Sequence, residues 1–305
     1  MQMSSNHVPA AAGLLLLAMA LIAFVDNFVR LIAEDAGLWQ FLAVRSAMAL
    51  PLLWGVARWR GWSLRPVRWR AVIQRSVLMA TALTLYFAAV AVVPIAIAGA
   101  GLYTSPIFVL LISIVLFGVR IGVWRAAAVA LGFAGVLLVL QPGSAAFSPL
   151  TLLPVLAGAL YAAGALTTRR LCMGESPACL VFGFFLVMAV YGSLGLAVLA
   201  LVGAGGAPGE ASFFGTGWQE VTPRFLWLCL MQAILSLVAV GCLVRAYQIA
   251  DPSYVSVFEY SFLPFAGVWG YLLWSDVPGP VAILGIGCIL VAGCAIILRG
   301  RKVAA

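Results

Sequence analysis

Few side chains in this sequence can do chemistry, and those few fall inside long apolar stretches. Asp26 and Arg30 stand four residues apart in one stretch, so on a helix they share a face. Arg45 lies roughly two turns into the next stretch, and Glu259 more than a turn into a later one. Asn27 and Gln232 add uncharged polarity. A guanidinium can hold a carboxylate through two parallel hydrogen bonds. A deep carboxylate can pair with an ammonium group or carry a proton. Tyr86, Tyr103, Tyr161 and Tyr260 each offer an apolar face and a hydroxyl, which suits a small amphipathic ligand. The candidate substrate contacts are therefore Asn27, Arg45, Tyr86, Tyr103, Tyr161, Glu259 and Tyr260; Asp26 and Glu259 are the candidate proton carriers.

Each of these also has a plainer reading. Asp26 and Arg30 can form a structural pair within their helix. Arg45 can neutralise Asp26 across two helices joined by a short loop. Glu259 can be a protonated structural glutamate, and the tyrosines can be packing residues.

Enzymatic chemistry finds no support. The one histidine, His7, sits in the polar N-terminus, and no zinc, nucleophile-elbow or phosphate-loop motif is present. The six cysteines form no C-x-x-C pair and read as small packing residues. No cofactor and no metal are expected.

The elements that must position these residues are set by composition. The chain is 65% hydrophobic and 9% charged, with mean hydropathy +1.15. Water-soluble domains average about 25% charged residues. So much apolar surface requires lipid as solvent, and the backbone must then be helical or a closed barrel. Apolar runs near the ~20 residues needed to cross a bilayer predict ten helices, over 10–32, 38–57, 72–92, 95–117, 123–141, 150–168, 178–202, 224–248, 254–274 and 279–299. The first run reads as a retained span.

The net charge of +8 is a topology signal. Fourteen of the seventeen basic residues fall in alternate loops or at the helix ends beside them, Arg58 to Arg70 above all. That asymmetry predicts a cytoplasmic location for those loops and for both termini, and argues against a nucleic-acid surface. The expected partners are lipid and a small-molecule substrate; a monomer and a homodimer both fit.

The chain also repeats itself. Pro94 to Pro106 returns 158 residues later as Pro252 to Pro264, each pair bridging the approach to an apolar helix. Five spans per half is an odd number, so residues 150–299 enter the membrane upside down relative to 10–141. Inverted halves predict a substrate site near the midplane between them. Pro106 and Pro264 each remove a helix donor, making them the candidate hinges.

Ten spans, a five-plus-five inverted repeat and a proline in spans four and nine together resemble the drug/metabolite transporter superfamily, in particular its EamA-type members. Phe41 to Leu50 is similar to the family's arginine-bearing second helix. Tyr103-Thr104-Ser105-Pro106 and Tyr260-Ser261-Phe262-Leu263-Pro264 are similar to its polar-then-proline pattern. Val119 and Val277 stand where the family commonly has a glutamate. The resemblance implies an all-α polytopic transporter working by alternating access. An amino acid moving outward is the leading expected substrate, with vitamin-, nucleoside- or drug-like solutes as the alternative, and a non-transporting scaffold behind them.

Overall fold

The computed structural model describes residues 8–90, 95–118, 122–141, 152–203, 206, 213–250, 255, 258–275, 279–281, 283–288 and 291–292. Pro94, Pro252, Val119 and Val277 lie outside them. All regular structure in the described residues is helical. Six helices are long and apolar enough to cross a membrane, and the apolar helices Ser105–Phe117 and Ala126–Leu138 are shorter.

The helices are α1 (Val8–Asp26), α2 (Val29–Asp35), α3 (Leu38–Arg60), α4 (Trp69–Val90), α5 (Ile95–Leu102), α6 (Ser105–Phe117) and α7 (Val123–Leu140). They continue as α8 (Leu152–Leu171), α9 (Pro177–Val202), α10 (Pro223–Ile249), a 3-10 turn at Glu259–Ser261 and α11 (Phe262–Trp274). Further helical residues lie between 280 and 292. The bundle is built on three broad contacts: α4 on α8, α3 on α9 and α1 on α10.

Local chemistry explains the boundaries. Pro177 and Pro223 open α9 and α10, where the missing N–H costs nothing. The Thr222 hydroxyl caps α10 by accepting from the Phe225 amide at 3.1 Å. Gly61 and Gly203 close α3 and α9 in the left-handed region (φ +68° each), which residues bearing a Cβ adopt at a cost. Both glycines begin a long loop.

The two prolines mark interruptions in otherwise apolar helices. Pro106 is the second residue of α6, and α5 stops at Leu102. Pro106 cannot donate to the Leu102 carbonyl, so the chain turns at Tyr103-Thr104, where the Thr104 hydroxyl donates to Gly101 O at 2.7 Å. Pro264 follows the 3-10 turn, where the Ser261 hydroxyl donates to Phe258 O at 2.6 Å. Each proline thus lies in the first turn of a new helix rather than deep within a continuous one.

A third interruption carries no proline or glycine. α1 and α2 part at Asn27-Phe28, where the Asn27 amide donates back to Ala23 O at 2.7 Å. The Val25 carbonyl accepts from Phe28 N at 3.0 Å and from Gln232 Nε2 at 2.7 Å. Gln232 on α10 thereby adds a second donor to a carbonyl at the break.

Candidate functional site

Two of the three interruptions, those after Asp26 and Leu102, border one cavity. It measures about 70 Å3 and takes its wall from α1, α3, α4, α8, α9 and α10, with Leu102 and Tyr103 at the α5–α6 break. Drug-sized ligand sites run to roughly 300–1,000 Å3, so the cavity is contracted and the helices around it must part to admit a metabolite.

Arg45 forms one pole. It comes from α3 and is 3% exposed. Its guanidinium sits among the rings of Phe41, Phe87 and Phe185 at 4.9, 5.1 and 5.7 Å. Its Nε has no hydrogen-bond partner. Ring faces compensate part of the desolvation of a buried cation, but they do not replace a hydrogen bond at Nε. Asp26, on the same cavity wall, is its charged neighbour.

Asp26 does not stand on an unbroken helix with Arg30, as their spacing predicts; the helix breaks between them at Asn27-Phe28. The Asp26 carboxylate accepts from the Tyr86 hydroxyl of α4 at 2.8 Å. The Arg30 guanidinium lies 3.5 Å over the Trp274 ring.

Tyr86, Tyr103 and Tyr161 all line the cavity with Asp26 and Arg45. Tyr103 also stacks on Phe262 at 4.6 Å, tying the wall to α11. Glu259 lies behind the wall and is fully buried. The Tyr161 hydroxyl donates to its Oε1 at 2.7 Å, and Ser105 lies 3.4 Å from its Oε2. Tyr247 is a further neighbour of the same carboxylate, though its own hydroxyl closes no hydrogen bond. Tyr161 therefore has one side on the cavity and its hydroxyl on Glu259.

Tyr260 and Asn27 fall outside the lining. Tyr260 is fully buried, and its ring covers Gly132 so closely that a Cβ there would come within 2.3 Å of it. The Asn27 amide is engaged at the α1 break.

Sequence reasoning overlooked Arg75, Phe87, Phe184 and Ser236, all of which line the cavity. Arg75 is 1% exposed; its Nε donates to Thr168 Oγ1 at 3.2 Å and its Nη1 to Leu180 O at 2.9 Å. Its position several residues inside an apolar run was the available signal, masked by its place at the end of the Arg-rich series. Phe87, Phe184 and Ser236 carry no local signal in so apolar a chain.

The Tyr161–Glu259 contact gives a direct prediction. Tyr161→Phe removes the shortest hydrogen bond to a fully buried carboxylate and is expected to cost about 1–3 kcal/mol. Adding Glu259→Gln should recover part of that loss, because the two effects share one bond. A double-mutant cycle on thermal unfolding in detergent checks this; strictly additive effects contradict it.

A helical bundle with interrupted membrane helices and a buried aromatic cavity holding charge is the construction of a membrane transporter. Comparison with known proteins agrees. The EamA-like transporter family matches residues 10–141. A riboflavin transporter of Rhizobium johnstonii is 34% identical over 225 residues, covering 73% of this chain and 68% of that protein. The pseudopaline exporter CntI of Pseudomonas aeruginosa is 27% identical over 300 residues, covering 95% and 97%. A solved crystal structure superposes with a TM-score of 0.73 over 96% of this chain and 99% of the other, at 16% identity, a likeness of fold. The chain belongs to the EamA-like transporter family, in the drug/metabolite transporter superfamily, and is a multi-pass inner-membrane protein.

Proposed function

We propose that the protein is a secondary carrier of a small, ring-bearing amphipathic metabolite. The observation that carries this reading is a cavity whose wall combines Tyr86, Tyr103, Tyr161, Phe87 and Phe184 with Arg45, whose Nε has no partner. A planar body would lie among the rings, and an acceptor or anionic group would meet the guanidinium. The relative named as a riboflavin transporter makes riboflavin the first ring system to test.

An amino acid is the second reading. Asp26 stands beside Arg45 on the same wall, so an ammonium and a carboxylate would each find an opposite charge. Outward movement accords with the relative named as a pseudopaline exporter. Asp26, or Glu259 behind Tyr161, would carry any coupled proton.

The architecture proposed is ten spans in two inverted halves, residues 10–141 and 150–299, with the Arg-rich loops and both termini in the cytoplasm. The contact pattern supports it. Exchanging the halves turns α4 on α8 (span three on six) into span eight on span one, which is α1 on α10, and returns α3 on α9 to itself. The interruptions beside Pro106 and Pro264 would act as hinges while the halves rock about the cavity.

Thermal unfolding with a ligand panel tests the substrate reading. At a concentration near 100 Kd a bound ligand stabilises by about 2.7 kcal/mol. Riboflavin or tryptophan is expected to raise the Tm, and leucine to leave it unchanged. A panel that shifts nothing, or leucine acting as strongly as the ring compounds, would sink the reading.

A further inference from the structure

Both ends of the bundle carry hydrogen bonds between the halves, and the two sets are built from corresponding parts. An offset of 139 residues superposes Arg30 on Arg169 and the start of α3 on the start of α9. At one end, the loop after α9 is fastened to the start of α3. Leu38 N donates to Phe213 O at 2.8 Å, and Trp39 Nε1 donates to Phe214 O at 3.0 Å. Gln40 closes a pair with Gln219, Nε2 donating to Gln219 O at 3.0 Å and Oε1 accepting from Gln219 N at 2.7 Å.

At the other end the partners are exchanged: the loop after α3 is fastened to the turn before α9, and here the fastening between them is one carboxylate. Glu175 is 4% exposed. Its Oε1 accepts from Arg68 N at 2.6 Å and its Oε2 from Val67 N at 2.9 Å. These are the two amides just before α4, so Glu175 caps a helix of the opposite half, where a negative charge is favoured. Gln248 on α10 holds the turn in place, its Nε2 donating to Glu175 O at 2.8 Å and Cys172 O at 3.2 Å.

We propose that Glu175 is the latch that holds the cytoplasmic side of the carrier shut. This rests on the alternating-access reading and on its assignment of the Arg-rich end to the cytoplasm. Opening inward requires the loop after α3 to leave the turn before α9, and those two amide contacts must then break. Opening outward breaks the Gln40–Gln219 pair instead and leaves Glu175 engaged. With both fastenings made, the central cavity is contracted, at about 70 Å3. Glu175 is a positioning residue: it lies outside the cavity lining and acts through the loop it holds.

A native thiol reports on the latch without any substrate. Cys172 is fully buried beneath the fastened loop, beside Arg68 and Arg75. Cys229, on α10, is equally buried and serves as an internal control. The full chain in inside-out membrane vesicles is treated with a maleimide, and labelling is assigned to each cysteine by mass spectrometry. Glu175→Gln keeps the shape but loses one acceptor and the charge, and is expected to raise the Cys172 rate at least about fivefold with Cys229 unchanged. Glu175→Asp, shorter by about 1.5 Å, should give an intermediate rate and covers the case of a poorly accumulating Gln variant. Gln40→Ala, which loosens the opposite end, should not raise Cys172 labelling.

Wild-type rates in both Glu175 variants overturn the proposal, and so does an equal rise at Cys229, which would mean general loosening. Failure of the transport reading is seen separately, as absent flux, and a reversed orientation appears as labelling from the other face of the vesicle.

Discussion

Arg45→Met is expected to lower the flux of a carboxylate-bearing substrate by about 100-fold or more while leaving the fold intact. Methionine keeps an apolar stem among Phe41, Phe87 and Phe185 and removes a cation whose burial is costly. Asp26 loses its charged neighbour but retains its hydrogen bond from Tyr86, which limits the cost to the fold. What disappears is a buried guanidinium on the cavity wall whose Nε has no partner. Removing one partner of a buried charge pair costs about 3–5 kcal/mol, which corresponds to the flux expected to be lost. For a neutral ring compound the guanidinium contributes a hydrogen bond without a charge partner, and the loss should be nearer about tenfold. The ratio of the two losses therefore reports the charge of the natural substrate. Unchanged flux with an unchanged Tm would remove Arg45 from the site.

The second large effect lies in packing. Gly192 on α9 packs directly on the backbone of α3: a Cβ there would meet Ala43 N at 2.5 Å and Trp39 O at 2.7 Å. Both contacts are backbone, so the helices themselves would have to separate. Gly192→Ala is expected to cost about 2–3 kcal/mol, and Gly192→Leu to prevent folding. Gly195, one turn on, faces the Trp39 ring, which Phe214 O holds in place, so Gly195→Ala should be costly as well. Gly241 on α10 has nothing within 4 Å of a Cβ, and alanine there should be neutral or stabilising by about 0.5–1 kcal/mol. Melting temperatures of the three alanine variants in one detergent check the ranking; Gly192→Ala melting with Gly241→Ala contradicts it.

The parts of this architecture legible in the sequence are those recorded by backbone chemistry or by charge. Pro106 and Pro264 announce interruptions because a missing N–H cannot be compensated locally, although the new helix begins just before each proline. Arg45 and the three cavity tyrosines stand out because polar groups are rare in so apolar a chain. The α1 break does not stand out: it depends on the Asn27 amide turning back to Ala23 O and on Gln232 arriving from α10, about two hundred residues away in sequence. Glu259 shows the converse. It is conspicuous as a deep carboxylate, yet the Tyr161 hydroxyl and Ser105 hold it behind the wall. Arg75 has the charge pattern of a topology signal, and only the tertiary placement of Thr168 and Leu180 draws it inward to the cavity.

The most direct test is flux in proteoliposomes carrying the purified wild-type protein or Arg45→Met, assayed with radiolabelled riboflavin and tryptophan. Saturable flux of at least one of them above protein-free vesicles is expected, reduced in the Arg45→Met protein about tenfold for riboflavin and about 100-fold or more for tryptophan. Flux at the protein-free level for both compounds, or flux equal in the two proteins, would contradict the account.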